Sequence, residues 1–323
     1  MEIYLFIIAN TVYFSAVVFA DNQCGNPVIG SNLNKRILPR IVGGQDVVYG
    51  SWPWQVQIIF HTDKGKKQCG GSIISSRWIV SAAHCLVDKH PGTQIFAGLQ
   101  GRTDYYHKNV KLYEMSRTII HPNYLHSTAS YFDIRVIQTK KNIELSDFVR
   151  PVCLATSELK DIDTITTGKV EKKCVTTGWG TINSNDQLPD TLQEVEIPLV
   201  SFEECSKLLS SYNIQESVHL CAGNLKTGGT GACVGDSGGP LVCLYNDNTW
   251  YLVGITSFGK CSSAESPGVW TRVTGVYSWI KTTTNFDKDP PLRSSLKSSV
   301  SRILYKQNYI FLFLFFCHLF QLN

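Results

Sequence analysis

From Trp54 onward, apolar positions recur in short runs of β type, not in long helical stripes. Val56-Gln57-Ile58-Ile59-Phe60, Trp78-Ile79-Val80 and Tyr251-Leu252-Val253-Gly254-Ile255 are the clearest of them, and Gly, Pro, Asn and Asp separate them. Runs of this length, rich in branched and aromatic side chains and bounded by turn residues, predict strands. Two stretches break the pattern. Ser201-Phe202-Glu203-Glu204 puts Ser and Glu three apart ahead of Leu208 and Leu209, a spacing that satisfies the orphan N–H groups at a helix start. A second helix is predicted from about Val276 to Thr283. The chain therefore reads as mostly β, and its regular turn spacing points to barrels or sandwiches.

The two ends differ from this middle. Ile3 to Ala20 is an apolar run ending Val18-Phe19-Ala20, the form of a leader cleaved after Ala20, although Glu2 stands where such leaders carry Lys or Arg. Cleaved leader and uncleaved membrane anchor both remain open, and either sends the rest of the chain into an oxidising compartment. Residues 21–40 hold Pro27, Gly30, Lys35 and Arg36 and read as an exposed linker ending at Arg40, before Ile41-Val42-Gly43-Gly44. At the other end, Ile310 to Leu322 is almost wholly apolar. Thirteen residues rise about 20 Å as a helix, short of a hydrocarbon core of ~30 Å. Serines 294, 295, 298 and 299 precede it, the order of a GPI signal; an interfacial tail and a tail without function are the alternatives.

Composition narrows the classes. Of the 323 residues 43% are hydrophobic and 17% charged, which is globular composition. The net charge is +4, and residues 286–323 carry five Lys/Arg against Asp287 and Asp289, so almost none of the surplus lies in the first 285 residues. A nucleic-acid partner is thereby excluded, since it requires a basic face to replace phosphate counterions. Eleven cysteines are present, ten of them between Cys24 and Cys261 and the last, Cys317, in the apolar tail. An even set in an oxidising compartment implies disulfides, and without any Cys-x-x-Cys a structural zinc is not expected. No Asn-x-Ser/Thr sequon occurs, so N-glycans are not expected.

The strongest chemical signal is Gly235-Asp236-Ser237-Gly238-Gly239-Pro240. Glycines around a serine permit a tight turn that exposes the hydroxyl and gathers backbone N–H groups into one concavity. With Ser81-Ala82-Ala83-His84-Cys85 and Asp133-Ile134, the chain supplies an imidazole base, a carboxylate and a nucleophile in the order His, Asp, Ser. On these motifs the chain resembles the chymotrypsin/trypsin family of serine endopeptidases, from Ile41 to about Asn285. The resemblance implies an all-β fold of two six-stranded antiparallel Greek-key barrels with a short C-terminal helix. It divides the chain into a leader (1–20), a pro-segment (21–40), a protease domain (41–285) and a linker with a hydrophobic tail (286–323).

It also implies roles. A serine hydroxyl is a weak nucleophile at neutral pH and needs a base within hydrogen-bond reach. His84 is expected to be that base, Asp133 to fix its tautomer and balance its charge, and Ser237 to attack the scissile carbonyl. The N–H groups of Gly235 and Ser237 would meet the developing oxyanion, at ~3 to 4 kcal/mol per donor. Cleavage between Arg40 and Ile41 would create an ammonium that pairs with Asp236, so the intact chain is expected to lack a formed site. Arg40 calls for a trypsin-like activating protease. Gly231 matches the base of the specificity pocket, with Gly259 and Gly268 as its walls. Without a carboxylate there, a substrate Lys or Arg would be desolvated unpaired, and large apolar or aromatic residues are preferred. Trp270, where relatives usually have tyrosine, would narrow the pocket.

By the same resemblance Cys24 pairs with Cys153, Cys69 with Cys85, Cys174 with Cys243, Cys205 with Cys221, and Cys233 with Cys261, although sequence alone allows other connectivities. The first pair would hold the pro-segment to the domain after cleavage. Leu99-Gln100 lacks the acidic residue of calcium-binding relatives, so neither metal nor cofactor is expected. Expected partners are protein or peptide substrates, the activating protease and protein inhibitors, with membrane contact only through the tail. Arg135 stands on a strand expected to be largely buried, where relatives commonly carry a small or apolar residue. It is expected to reach the surface or a carboxylate, because an unpaired buried guanidinium is costly. The rival reading from another class is a binding protein of the same fold without catalysis. An esterase on another fold fails on motif order and on the Ile41 signature.

Overall fold

The computed structural model describes residues 24–31, 33, 44–62, 65–85, 92–125, 130–159, 173–181, 187–228, 231, 233–259 and 265–288. The leader, Arg40 and Ile41, Cys261, Cys317 and the apolar tail lie outside them.

The apolar runs fold as strands. In chain order these are β1 (Gln45–Asp46), β2 (Gln55–Thr62), β3 (Gly65–Ile73), β4 (Trp78–Ser81), β5 (Gln94–Ala97), β6 (Lys111–Ile120) and β7 (Arg135–Thr139). They continue as β8 (Cys153–Leu154), β9 (Cys174–Gly178), β10 (Gln193–Glu196), β11 (Leu199–Val200), β12 (His219–Ala222), β13 (Pro240–Leu244), β14 (Trp250–Phe258) and β15 (Gly268–Arg272). Strands β2 to β7 close into a barrel in the order β2-β3-β4-β7-β6-β5. Closure removes sheet edges and encloses Trp54, Ile58, Ile79, Ile95 and Ile137, which bury their apolar area at ~25 cal/mol per Å². The other strands form one nine-stranded sheet along β1-β10-β9-β13-β14-β15-β12-β11, with β8 pairing β14. Its end strands, β1 and β11, are two residues each and do not pair with one another, so this half is a curled sheet where a second closed barrel is expected. The all-β, chymotrypsin-like class holds.

Both predicted helices are present. Helix α1 (Phe202–Leu208) is capped by Ser201, whose side chain accepts from the Glu204 N–H. Helix α2 (Val273–Thr284) starts three residues before its predicted beginning. The reason is packing: Val273 belongs to the same buried stripe as Val276, Ile280 and Thr284, so the chain passes from β15 into the helix without a loop.

Arg135 departs from expectation. It is fully buried, reaching neither solvent nor an ion-paired carboxylate among the described residues. Its Nε donates to the Ala82 carbonyl at 3.1 Å and its Nη2 to the Ala83 carbonyl at 2.7 Å. Backbone carbonyls take the place of a carboxylate, and that of Ala82 also accepts from the Cys85 N–H at 3.4 Å.

Candidate active site

The barrel and the curled sheet meet at a seam where three side chains and one turn gather. His84 lies in a single 3-10 turn, Ala83–Cys85, directly after β4. That turn is anchored from both ends: Ala82 and Ala83 are wholly buried, and Cys85 is bridged to Cys69 on β3. Asp133 precedes β7 and has no exposed surface. Its Oδ1 accepts from the His84 N–H at 2.9 Å, and its Oδ2 faces His84 Nδ1 at 2.6 Å. Ser257, on β14, donates to the same Oδ2 at 2.5 Å, and Thr271, on β15, donates to the Asp133 carbonyl at 2.9 Å.

Burial by itself would raise the Asp133 carboxyl. Hydrogen bonds from the His84 ring, its charge, Ser257 and the His84 N–H outweigh it and hold the group below its ordinary range. An ionised carboxylate only accepts, so the ring proton sits on Nδ1 and Nε2 is left as the acceptor.

Ser237 comes from the opposite half, in the turn that leads into β13. Gly235 has φ of 101°, a conformation a side-chain-bearing residue adopts only under strain, and the turn is closed by Asp236 N–H to the Cys233 carbonyl and Gly239 N–H to the Asp236 carbonyl. The Ser237 carbonyl accepts from Gly70 N–H at 2.8 Å, and Gly238 N–H donates to the Thr256 carbonyl at 2.9 Å. The serine backbone is thus docked on β3, whose Cys69 is bridged to the neighbour of His84. Among the described residues, the N–H groups of Gly235 and Ser237 donate to no protein acceptor.

Asp236 turns away from this opening. Its Oδ1 accepts from Gly180 N–H at 2.7 Å and its Oδ2 from Cys233 N–H at 2.8 Å. A Cβ at Gly180 would stand 2.4 Å from the Asp236 Cγ, so only glycine lets the carboxyl in. Although the residue as a whole is part-buried, its carboxyl end is enclosed. Burial pushes it up to about 6 against the pull of the two N–H donors. Two backbone donors thus hold the carboxyl inside the turn.

Beside Ser237 opens a recess of about 130 Å³ lined by Val234, Phe258, Gly259, Gly268 and Trp270 among others. Gly259 and Gly268 stand in its wall. Gly231 is buried but is not among the lining residues. Trp270 is wholly buried, and its Cη2 and Cζ3 lie 2.8 Å from where a Gly268 Cβ would be, so the indole backs that wall. Further bridges join Cys24 to Cys153, Cys174 to Cys243 and Cys205 to Cys221. Cys233 is disulfide-bonded too.

A family model described as Trypsin matches residues 41–280. The chain belongs to the trypsin family. Similar curated proteins include an ovochymase of Halocynthia roretzi, 36% identical over 270 residues that make up 82% of this chain and 16% of that protein. A coagulation factor XI of Bos taurus is 34% identical over 248 residues, 76% of this chain and 38% of that protein. The trypsin-family chain thus spans well under half the length of either relative. Its kinship and its disulfides fit a serine-protease fold built for an oxidising compartment.

Three contacts in the site escaped the sequence. Ser257 and Thr271 reach Asp133 from 124 and 138 residues away, and Lys67 Nζ donates to the His84 carbonyl at 3.2 Å. The only sequence signal for Ser257 is its place before Phe258-Gly259, where the recess wall is read.

Proposed function

We propose that this chain is a secreted or surface-tethered serine endopeptidase that hydrolyses peptide bonds through an acyl-enzyme. The observation that carries the reading is the buried Asp133 carboxylate holding both His84 N–H and Nδ1, with the Ser237 turn docked across the seam on Gly70. His84 Nε2 takes the Ser237 proton as the hydroxyl attacks the scissile carbonyl, and returns it to the leaving amine. The unspent N–H groups of Gly235 and Ser237 receive the oxyanion. Water then repeats the sequence to release the acyl group.

In this reading residues 1–20 are a leader, 21–40 a pro-segment, 41–285 the protease domain and 286–323 a linker and hydrophobic tail. A trypsin-like protease cuts after Arg40, and the Ile41 ammonium joins Asp236. That pair orders the oxyanion turn, and the ammonium compensates an enclosed carboxyl that two N–H donors hold among the described residues. Gly259 and Gly268 leave the recess open, Trp270 backs it with an apolar ring, and no carboxylate lines it among the described residues, which supports Phe, Tyr or Leu, with Trp and Met, before the scissile bond. Cleavage after Arg40 followed by a fluorophosphonate probe tests the reading: label on Ser237 is expected, and its absence from a folded, cleaved chain points to an inert binding protein instead. Parallel assays on Phe and Arg peptide substrates decide the preference, and faster cleavage after Arg overturns it.

A further inference from the structure

The endopeptidase chemistry uses His84, Asp133 and Ser237, yet a further, charged side chain is buried in the same cluster without a role in it. Strand β7 begins two residues after Asp133 with Arg135, which has no exposed surface. The guanidinium spends Nε on the Ala82 carbonyl and Nη2 on the Ala83 carbonyl, the two carbonyls immediately before His84. Its Nη1 is buried with no hydrogen-bond partner, and its Cζ lies 6.0 Å from the Phe60 ring, a weak contact for a desolvated cation. Burial brings Arg135 down to about 10, still cationic at neutral pH, while the negative charge of Asp133 opposes the fall. A cation kept at such expense of desolvation is not explained by packing, since an apolar side chain of similar length would fill the place.

We propose that Arg135 is a positioning residue for the base: its two-pronged grip on the Ala82 and Ala83 carbonyls sets the His84 turn from beneath. One short segment then fixes His84 from two sides. Asp133 binds its N–H and ring, and Arg135 binds the carbonyls that lead into it. The other charged or titratable described groups around this turn are few. Lys67 reaches the His84 carbonyl from β3 but is exposed and screened by water. Tyr124, from the turn after β6, is pushed up to about 12 by burial first and the Asp133 charge second, so it stays neutral throughout the working range.

The proposal rests on the endopeptidase reading, and its test separates the two. The full chain, cleaved after Arg40, is compared with Arg135→Met and Arg135→Lys, each normalised to active sites titrated with the fluorophosphonate. If the unaltered chain neither labels nor cleaves peptides, the endopeptidase reading fails. If it does, Arg135→Met is expected to lose roughly tenfold or more in kcat with KM within about twofold. Arg135→Lys keeps the charge but not the planar fork, so its kcat falls as well. Losses in melting temperature alone, with kcat per titrated site unmoved in Arg135→Met, overturn the proposal. Should Arg135→Met fail to fold, an unchanged kcat in Arg135→Lys overturns it, and a lowered kcat with KM within about twofold upholds it.

Discussion

Asp133 shows how much a single buried residue is asked to do. Its carboxylate has no contact with water and takes donors from a turn on one side and from β14 on the other, so removal of its charge leaves the His84 ring free to place its proton on either nitrogen. Asp133→Asn is expected to keep the fold and lower kcat by about ten-thousand-fold, read from steady-state kinetics of the cleaved chain. Asp236 gives a second prediction through its sign. Its folded pKa is raised, to about 6, above its unfolded value, so the folded intact chain binds the extra proton and loses stability as pH rises from the ordinary carboxyl range through 6. In the proposed activation, the Ile41 ammonium would favour the charged carboxylate and that loss would disappear. The melting temperature of the cleaved chain is therefore expected to gain on that of the intact chain as pH is raised from 4 to 8. A gap independent of pH counts against the pairing of Ile41 with Asp236.

Elements hold these residues in place, and the predictions at this scale concern stability. Helix α1 starts on the Ser201 side chain, 3.2 Å from the Glu204 N–H. Ser201→Ala is expected to remove about 1 kcal/mol, measured by denaturant unfolding. Helix α2 presents Val273, Val276 and Ile280 to the core, and Ile280 is wholly buried. Ile280→Ala is expected to lower stability by about 2–5 kcal/mol with catalysis per folded molecule unchanged, since the helix touches the sheet and not the recess. Both helices are legible in the sequence because their signals are local: a cap three residues from its partner, and an apolar stripe along one face. The early start of α2 is not, because Val273 joins the helix's buried stripe only through packing once β15 ends at Arg272.

At the scale of the molecule, two β units are stitched together across the seam that holds the site. Thr177 on β9 donates to Gln55 on β2 at 2.7 Å, and Gly70 on β3 donates to Ser237, so each unit fixes a part of the other's chemistry. Beyond the seam, Cys24 is bridged to Cys153, Gly25 N–H donates to the Pro151 carbonyl and Trp250 N–H to the Gly25 carbonyl, which seats the segment before Arg40 on the second unit. After a cut at Arg40 the protein is expected to run as one species on a non-reducing gel and as two on a reducing gel. Separation without reductant would show that the bridge does not retain the segment.

The sequence by itself determined the β class, both helices and the His84, Asp133 and Ser237 motifs, because each is written in neighbouring residues: alternation, turn chemistry, or a nucleophile set between glycines. Only the tertiary structure decided who completes the site. Ser257 and Thr271 reach Asp133 from strands far along the chain, and Arg135, read as bound for solvent or a carboxylate, is instead enclosed beneath the His84 turn. Spacing along a chain carries no record of such contacts, since they exist only once barrel closure and sheet curling bring β7, β14 and β15 against one turn. Whether a buried charge finds a partner is a property of that enclosure, and a carbonyl of the backbone leaves no mark in the order of side chains.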